Sequence, residues 1–282
     1  MGLEFRVMTL DDMGLYLRLM EIAGWGNTAD DLRRLLHYES EGCFVASLDG
    51  EDVGMVASTD YGEVGWIGNL VVLPEWRSRG IGANLMKVAM SHLLDSGVRS
   101  IRLDSVAKSV PLYSRLGFRG EYPSLRFTGK GKHRRVLGID RMEEPDLPRV
   151  IELDGQFSGL DRERMLRRVY GEYPSLCFVA RDDGGIAGYI MAKPGEGIYR
   201  VGPWICMPER PDLADALLRR LMAEVAGEWI WVGVPSLNSA SVEILGENGF
   251  ERISTSTRMC YGECRPLGNR RGVFGIGAAD KG

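Results

Sequence analysis

At 282 residues, with 44% apolar and 26% charged residues, the chain is long enough for a large core and reads as a soluble globular protein, more readily of two domains than one. A formal charge of −4 supplies no global basic field to recruit nucleic acid, no apolar run approaches a membrane span, and the N-terminus lacks a signal peptide's apolar core, so a cytoplasmic protein is expected. Five cysteines without framework spacing read as reduced thiols, and three scattered histidines give no ligand cluster, so no metal is expected.

Glu4 to Met8 reads as a strand, and Asp11 to Ile22 as a helix with Leu15, Leu19 and Ile22 on one face. Gly24-Trp25-Gly26-Asn27 breaks that helix, and Asn27 or Thr28 caps a second one through His37. Cys43 to Leu48 and Val53 to Thr59 read as strands around a turn at Asp49-Gly50. Val64 to Leu73 is a long strand that stops at Pro74 and crosses a short basic turn. A helix from Gly80 to Asp95 follows, with Ile81, Leu85 and Val88 at helical spacing. Arg99 to Leu103 alternates as a further strand, a short helix carries Tyr113, and strands resume at Phe118. The class is α/β, of the α+β kind with a mixed sheet.

The turn before the Gly80 helix suits an anion. A helix start leaves backbone N–H groups without intrahelical partners and carries partial positive charge, so phosphate oxygens are natural ligands. Gly80 and Gly82 let the backbone approach a pyrophosphate, and Arg77 and Arg79 add full charges at the rim. A tight strand-to-helix turn with no ligand is the alternative.

Arg77-Ser78-Arg79-Gly80-Ile81-Gly82 resembles the Arg/Gln-x-x-Gly-x-Gly/Ala signature of the GCN5-related N-acetyltransferases (GNAT). Pro111-Leu112-Tyr113-Ser114-Arg115-Leu116-Gly117-Phe118 resembles that family's Leu-Tyr-x-x-x-Gly-Phe helix end, in the family's order. The resemblance covers most of residues 1 to 128. It implies a central mixed, mostly antiparallel twisted sheet flanked by helices, acetyl-CoA as cosubstrate, and direct attack of a primary amine, on a small molecule or a protein, on the thioester.

By the same resemblance, Leu70, Val71 and Val72 lie where the sheet splays beside pantetheine, with the Val72 amide nearest the thioester carbonyl. Arg77, Ser78, Arg79, Gly80, Ile81, Gly82, Ala83 and Asn84 surround the pyrophosphate, and Tyr113 and Arg115 complete the cofactor contacts. Tyr113 matches the phenol that protonates the leaving thiolate; an aromatic packing the helix on the sheet is the alternative. The family's glutamate position is Trp66 here, and its asparagine ahead of the tyrosine is Ala107. Among Asp104, Glu63 and Asp60, Asp104 is the candidate base acting through water; a strand-end carboxylate is otherwise a turn acceptor. The loop between the first two helices walls the family's acceptor pocket, which makes Trp25 and Asn27 candidates, with Tyr61 a further one. Trp25 either presents its indole to substrate or plugs the core.

Further along, the chain repeats itself. Met8 matches Met142, Leu32-Arg33-Arg34 matches Leu166-Arg167-Arg168, Cys43-Phe44-Val45-Ala46 matches Cys177-Phe178-Val179-Ala180, Gly54 matches Gly188, and Pro74-Glu75 matches Pro208-Glu209, all 134 residues apart. Gly117-Phe118 matches Gly249-Phe250 at a separation of 132. The expected division is a catalytic domain at 1–128, a basic linker at 129–135, a degenerate domain at 136–264 and a glycine-rich tail at 265–282. Copy two reads Arg210-Pro211-Asp212-Leu213-Ala214 in place of the glycine turn, and Leu245 in place of Tyr113. An N-acetyltransferase with one working domain is the leading expectation. A CoA-binding regulator or scaffold without catalysis is the alternative, and the oligomeric state is open.

Overall fold

A computed structural model of the chain describes residues 2–133 and 135–282. Met1 and Arg134, the latter part of the expected linker, lie outside the described residues. The chain forms two compact units. Unit 1 comprises Met1–Gly120, Met259–Cys264 and Asp280–Gly282, and unit 2 comprises Glu121–Arg258 and Arg265–Ala279.

Unit 1 runs β1 (Leu3–Val7), α1 (Met13–Ala23), α2 (Ala29–Tyr38), β2 (Cys43–Leu48), β3 (Glu51–Asp60), β4 (Val64–Val72), α3 (Ile81–Asp95), β5 (Ser100–Val106) and α4 (Val110–Arg115). Thr28, not Asn27, is the cap of α2, in a reciprocal box with Asp31. Asp49 and Gly50 both take positive φ (53° and 88°), the geometry a two-residue hairpin between right-twisted strands requires. Strands β1 to β4 pair antiparallel in sequence order, and β4 pairs parallel with β5.

Alternation along these strands sends side chains to two faces. On one, α3 buries Ile81, Leu85, Met86, Ala89 and Leu93 against Ile67, Ile101 and Leu103. On the other, Tyr16, Leu19 and Met20 of α1 and Leu32 and Leu35 of α2 cover Cys43, Val45, Met55, Ala57 and Val71. Each large side chain fully buried this way contributes roughly 1.5–3 kcal/mol.

Unit 2 repeats the order with β6 (Arg119–Lys130), β7 (Ile139–Arg141), α5 (Leu147–Ser158), α6 (Glu163–Glu172), β8 (Cys177–Asp182), β9 (Gly185–Gly195), β10 (Ile198–Cys206), α7 (Pro211–Glu224), β11 (Trp229–Pro235), α8 (Ser239–Glu247), β12 (Glu251–Gly262) and β13 (Val273–Gly275). Here β7 to β10 pair antiparallel in order, β10 pairs parallel with β11, and β11 pairs antiparallel with β6.

The expected boundaries do not follow the compact units. β6 and β12 are matched strands in the repeat, yet Glu121–Lys130 of β6 counts with unit 2, and Met259–Gly262 at the end of β12 counts with unit 1. Met259 is buried in the α3-side core of unit 1, and Tyr261 packs on Phe118 there. Gly129 and Lys130, expected in the linker, are strand residues paired with Ile230 and Trp229. Among the described residues, no helix is long and apolar enough to cross a membrane.

The cysteines need a correction as well. Cys260 and Cys264 form a disulfide, closing a short loop around Gly262 (φ 80°), so five reduced thiols is not the state described. Cys43, Cys177 and Cys206 are buried thiols, and burial pushes each up to about 12.

Candidate active site

The candidate site grows from a single irregularity in β4. Val71 opposes Met55 and Gly68 opposes Ala57, so three steps along β4 match two along β3. The extra residue is taken up in a bulge in which Asn69 has φ 51°. Pairing of β4 with β5 covers only Val64–Trp66 against Ser100–Arg102, so beyond the bulge the two strands part. Leu73 N–H donates to Val53 O at 2.9 Å, toward β3. Strand alternation therefore turns the N–H and C=O of Val72 the opposite way, toward the gap. The Val72 carbonyl accepts from Arg77 Nε at 2.9 Å, leaving the Val72 amide directed into the gap.

Arg77 is thus a brace for the turn it belongs to, a role spacing did not reveal. Arg79 lies over Trp76, its guanidinium carbon 4.8 Å from the ring centroid. Ser78 and Gly80 both take the left-handed conformation, at φ 63° and 80°. Gly80 is the N-cap of α3, and as the helix begins its carbonyl accepts from the Asn84 N–H at 3.1 Å. The amides of Gly80, Ile81, Gly82 and Ala83 precede it, with no acidic side chain in the first turn to occupy them. A Cβ on Gly82 would meet only Val72 and Leu70 side-chain carbons, at 3.8 and 4.0 Å. Among the described residues, then, no neighbour crowds the helix backbone at Gly82. Leu70 and Asn84 are half-buried beside it, and Val71 faces the α1–α2 core.

Tyr113 sits on α4 only 9% exposed, edge-on to Phe118 with ring centroids 6.0 Å apart. Among the described residues its hydroxyl has no hydrogen-bond partner. Burial pushes the phenol up to about 12, so it stays protonated at neutral pH. Arg115, near the end of the same helix, is exposed.

The carboxylates separate by use. Asp60 accepts the Gly62 N–H at 2.7 Å as a turn acceptor, and Glu63 pairs with Arg99 at 3.6 Å on an exposed corner. Asp104 is half-buried on the part of β5 beyond its pairing with β4. Trp66 is fully buried. Trp25 is 37% exposed, so it is not a core plug. Asn27 Nδ2 donates inward to the buried Tyr16 hydroxyl at 2.9 Å. Tyr61 is buried, and its hydroxyl donates to the Lys281 carbonyl at 2.8 Å. The chain itself therefore takes the contact expected for an acceptor.

Unit 2 treats the matched positions differently. Pro211 opens α7 and removes one donor, Asp212 puts a carboxylate in the first turn, and Arg210 holds that carboxyl below its usual range at 2.8 Å. β10 and β11 pair only over Tyr199–Val201 and Ile230–Val232. Beyond that, β13 pairs with β10, Ile276 N–H donates to Gly233 O at 2.8 Å, and Ser241 Oγ donates to Phe274 O at 2.6 Å. In unit 2 the space beyond that pairing is filled by its own chain, whereas among the described residues no further strand pairs with β4 in unit 1.

A mixed, bulged sheet backed by a helix after its fourth strand is built twice along the chain, and in unit 1 that helix is glycine-capped; together these define the class. The acetyltransferase (GNAT) family pattern matches residues 13–118, and an acetyltransferase (GNAT) domain pattern matches residues 150–275. The chain belongs to the GNAT acetyltransferase family, with two family domains in tandem. An N-acetyltransferase of Archaeoglobus fulgidus, itself uncharacterized, is 43% identical over 68 residues, which span 22% of this chain and 46% of that protein. An N-alpha-acetyltransferase, MAK3, of Arabidopsis thaliana is 26% identical over 132 residues, 44% of this chain and 70% of that protein. A solved structure from Pyrococcus horikoshii shares the fold at TM-score 0.86 and 22% identity, covering 100% of this chain and 96% of the other. A tandem GNAT protein from the clavulanic acid biosynthesis pathway shares it at TM-score 0.65 and 17% identity, covering 94% and 100%.

Proposed function

We propose that unit 1 is a working N-acetyltransferase that moves the acetyl group of acetyl-CoA to a primary amine, and that unit 2 is a non-catalytic copy. The observation that carries this reading is the conjunction in unit 1, among the described residues, of a strand gap lined by the Val72 amide with a start of α3 whose amides meet no side-chain cap and no acidic residue of the first turn. The α3 amides and Arg79 would hold the diphosphate, and pantetheine would lie along Leu70–Val72. The Val72 N–H would polarise the thioester carbonyl as negative charge develops on its oxygen.

The attacking amine has to be neutral, and Asp104 takes its proton through water. As the new C–N bond forms and the C–S bond breaks, Tyr113 gives its phenolic proton to the departing thiolate. The buried phenol carries that proton at neutral pH. Trp25 and Asn27 flank the acceptor side. The test is steady-state release of free thiol from acetyl-CoA with a panel of primary amines. Thiol release that depends on amine and falls in Tyr113→Phe supports the reading, and wild-type turnover in Tyr113→Phe contradicts the assigned role.

A further inference from the structure

Unit 1 contains a piece of chain that the proposed reaction does not use. Asp280–Gly282 belongs to unit 1, and Lys281 is only 3% exposed. Gly68 makes room for it, since a Cβ there would stand 2.5 Å from Asp280 Cβ and 2.6 Å from its Cα. The Tyr61 hydroxyl donates to the Lys281 carbonyl at 2.8 Å, and Asn69 Nδ2 donates to the Asp280 carboxylate at 3.2 Å. Lys281 Nζ donates to the same carboxylate at 2.5 Å, so the tripeptide brings a buried ammonium whose charge is already paired, which lowers the cost of taking it out of water.

Two observations place the segment on the α1–α2 face of β4. Lys281 acts electrostatically on the Cys43 thiol, and Cys43 lies in the core that those helices cover. Ala57, opposite Gly68 in the ladder, lies in the same core. Unit 2 offers a parallel. Gly202, matched to Gly68, is closely approached by the Ile276 carbonyl, part of the stretch that fills the unit 2 gap. In each unit, then, the glycine at the bulge admits chain that follows Cys264.

We propose that Asp280–Gly282 is an intramolecular occupant of the acceptor side of unit 1, standing in for a peptide acceptor in which an acidic residue precedes lysine, and that such an acceptor must displace it. The proposal rests on the acetyltransferase reading of unit 1 for the word acceptor, but its binding test does not. The backbone carbonyl, carboxylate and ammonium that Tyr61, Asn69 and the surrounding core receive are the groups such a peptide presents.

The probe is a fluorescein-labelled hexapeptide, Gly-Ala-Ala-Asp-Lys-Gly, read by anisotropy. The chain without residues 280–282 should bind it at least tenfold more tightly than the full chain, and Asn69→Ala in that shortened chain should weaken the gain at least fivefold. Asp280→Arg in the full-length chain, which drives the segment out without shortening it, should open the groove to the same peptide. Equal affinity across all these proteins, or no peptide uptake by either opened variant, overturns the proposal. Acetyl-CoA binding is measured separately by calorimetry. Peptide uptake by opened variants that ignore acetyl-CoA would leave the occupancy standing and remove the acetyltransferase reading.

Discussion

The matched strand, turn and helix of the two units show how much a helix start can change while a fold is kept. Both β4 and β10 carry a bulge at the same place in the repeat, and both pair parallel with the next strand for only three residues. Both place a broad apolar helix against the sheet. The differences lie at the helix start and in the gap. α3 begins at Gly80 with bare amides, whereas α7 begins with Pro211 and the Asp212 carboxylate. In unit 2 the strand β13 pairs with β10 beyond the parallel ladder, and among the described residues no strand pairs with β4 in that way in unit 1. Core packing tolerates these changes because none of them alters the buried stripe. An anion site at a helix start would not tolerate them, because it depends on a few uncovered amides.

The largest effect expected on breaking the comparison is one of stability. In unit 2 the fully buried Asp154 accepts from Arg162 at 2.6 and 2.9 Å and from the Tyr189 hydroxyl. The matched residues of unit 1 are Met20, Thr28 and Met55. Asp154→Ala strands a buried guanidinium and should cost about 3–5 kcal/mol in urea unfolding. Replacing Asp154 and Tyr189 by methionine and Arg162 by threonine, as in unit 1, should recover most of that loss.

Next comes the cofactor loop. Arg79→Glu with Gly80→Asp forces a side chain into left-handed backbone and reverses charge at the helix start. Acetyl-CoA affinity by calorimetry should fall about 100-fold or more. Tyr113→Phe keeps the packing on Phe118 and removes only the proton. It should lower kcat about 10- to 100-fold with acetyl-CoA affinity unchanged.

A smaller effect lies in the alkaline range. Burial raises Cys43, Cys177 and Cys206 to about 12 from a usual value near 9. Above pH 9 the unfolded chain releases thiol protons that the folded chain retains, so stability holds up to that point and declines between pH 9 and 12. Denaturant melts should show about 1 kcal/mol lost per thiol by pH 10. Cys206 stands where unit 1 has Val72. Cys206→Val should therefore flatten the decline by one thiol's share. The smallest change is expected from Pro211→Gly with Asp212→Gly. Restoring amides to α7 should add no measurable acetyl-CoA binding, because β13 still fills the gap.

Legibility followed the range of the interactions. The repeat, the turn glycines and the order of elements were readable because each rests on local periodicity or on one short segment. The exchange of strand ends was not, since alternation along β6 and β12 marks a strand without naming the sheet edge it joins. Cys260 and Cys264 gave no framework spacing, and their pairing depends on the turn at Gly262. Arg77 was legible as a charge beside a glycine turn, but its bond to the Val72 carbonyl depends on how the strand meets the turn. The Tyr61 contact with Lys281 spans most of the chain, and no local pattern carries it. The open Val72 amide followed only once the bulge at Asn69 set the alternation.

Calorimetric stoichiometry of acetyl-CoA binding to the full chain tests the central claim most directly. One molecule bound per chain, with binding lost in Arg79→Glu/Gly80→Asp, is the predicted result. Two molecules per chain, or one that survives the double substitution, would contradict the assignment of the cofactor to unit 1.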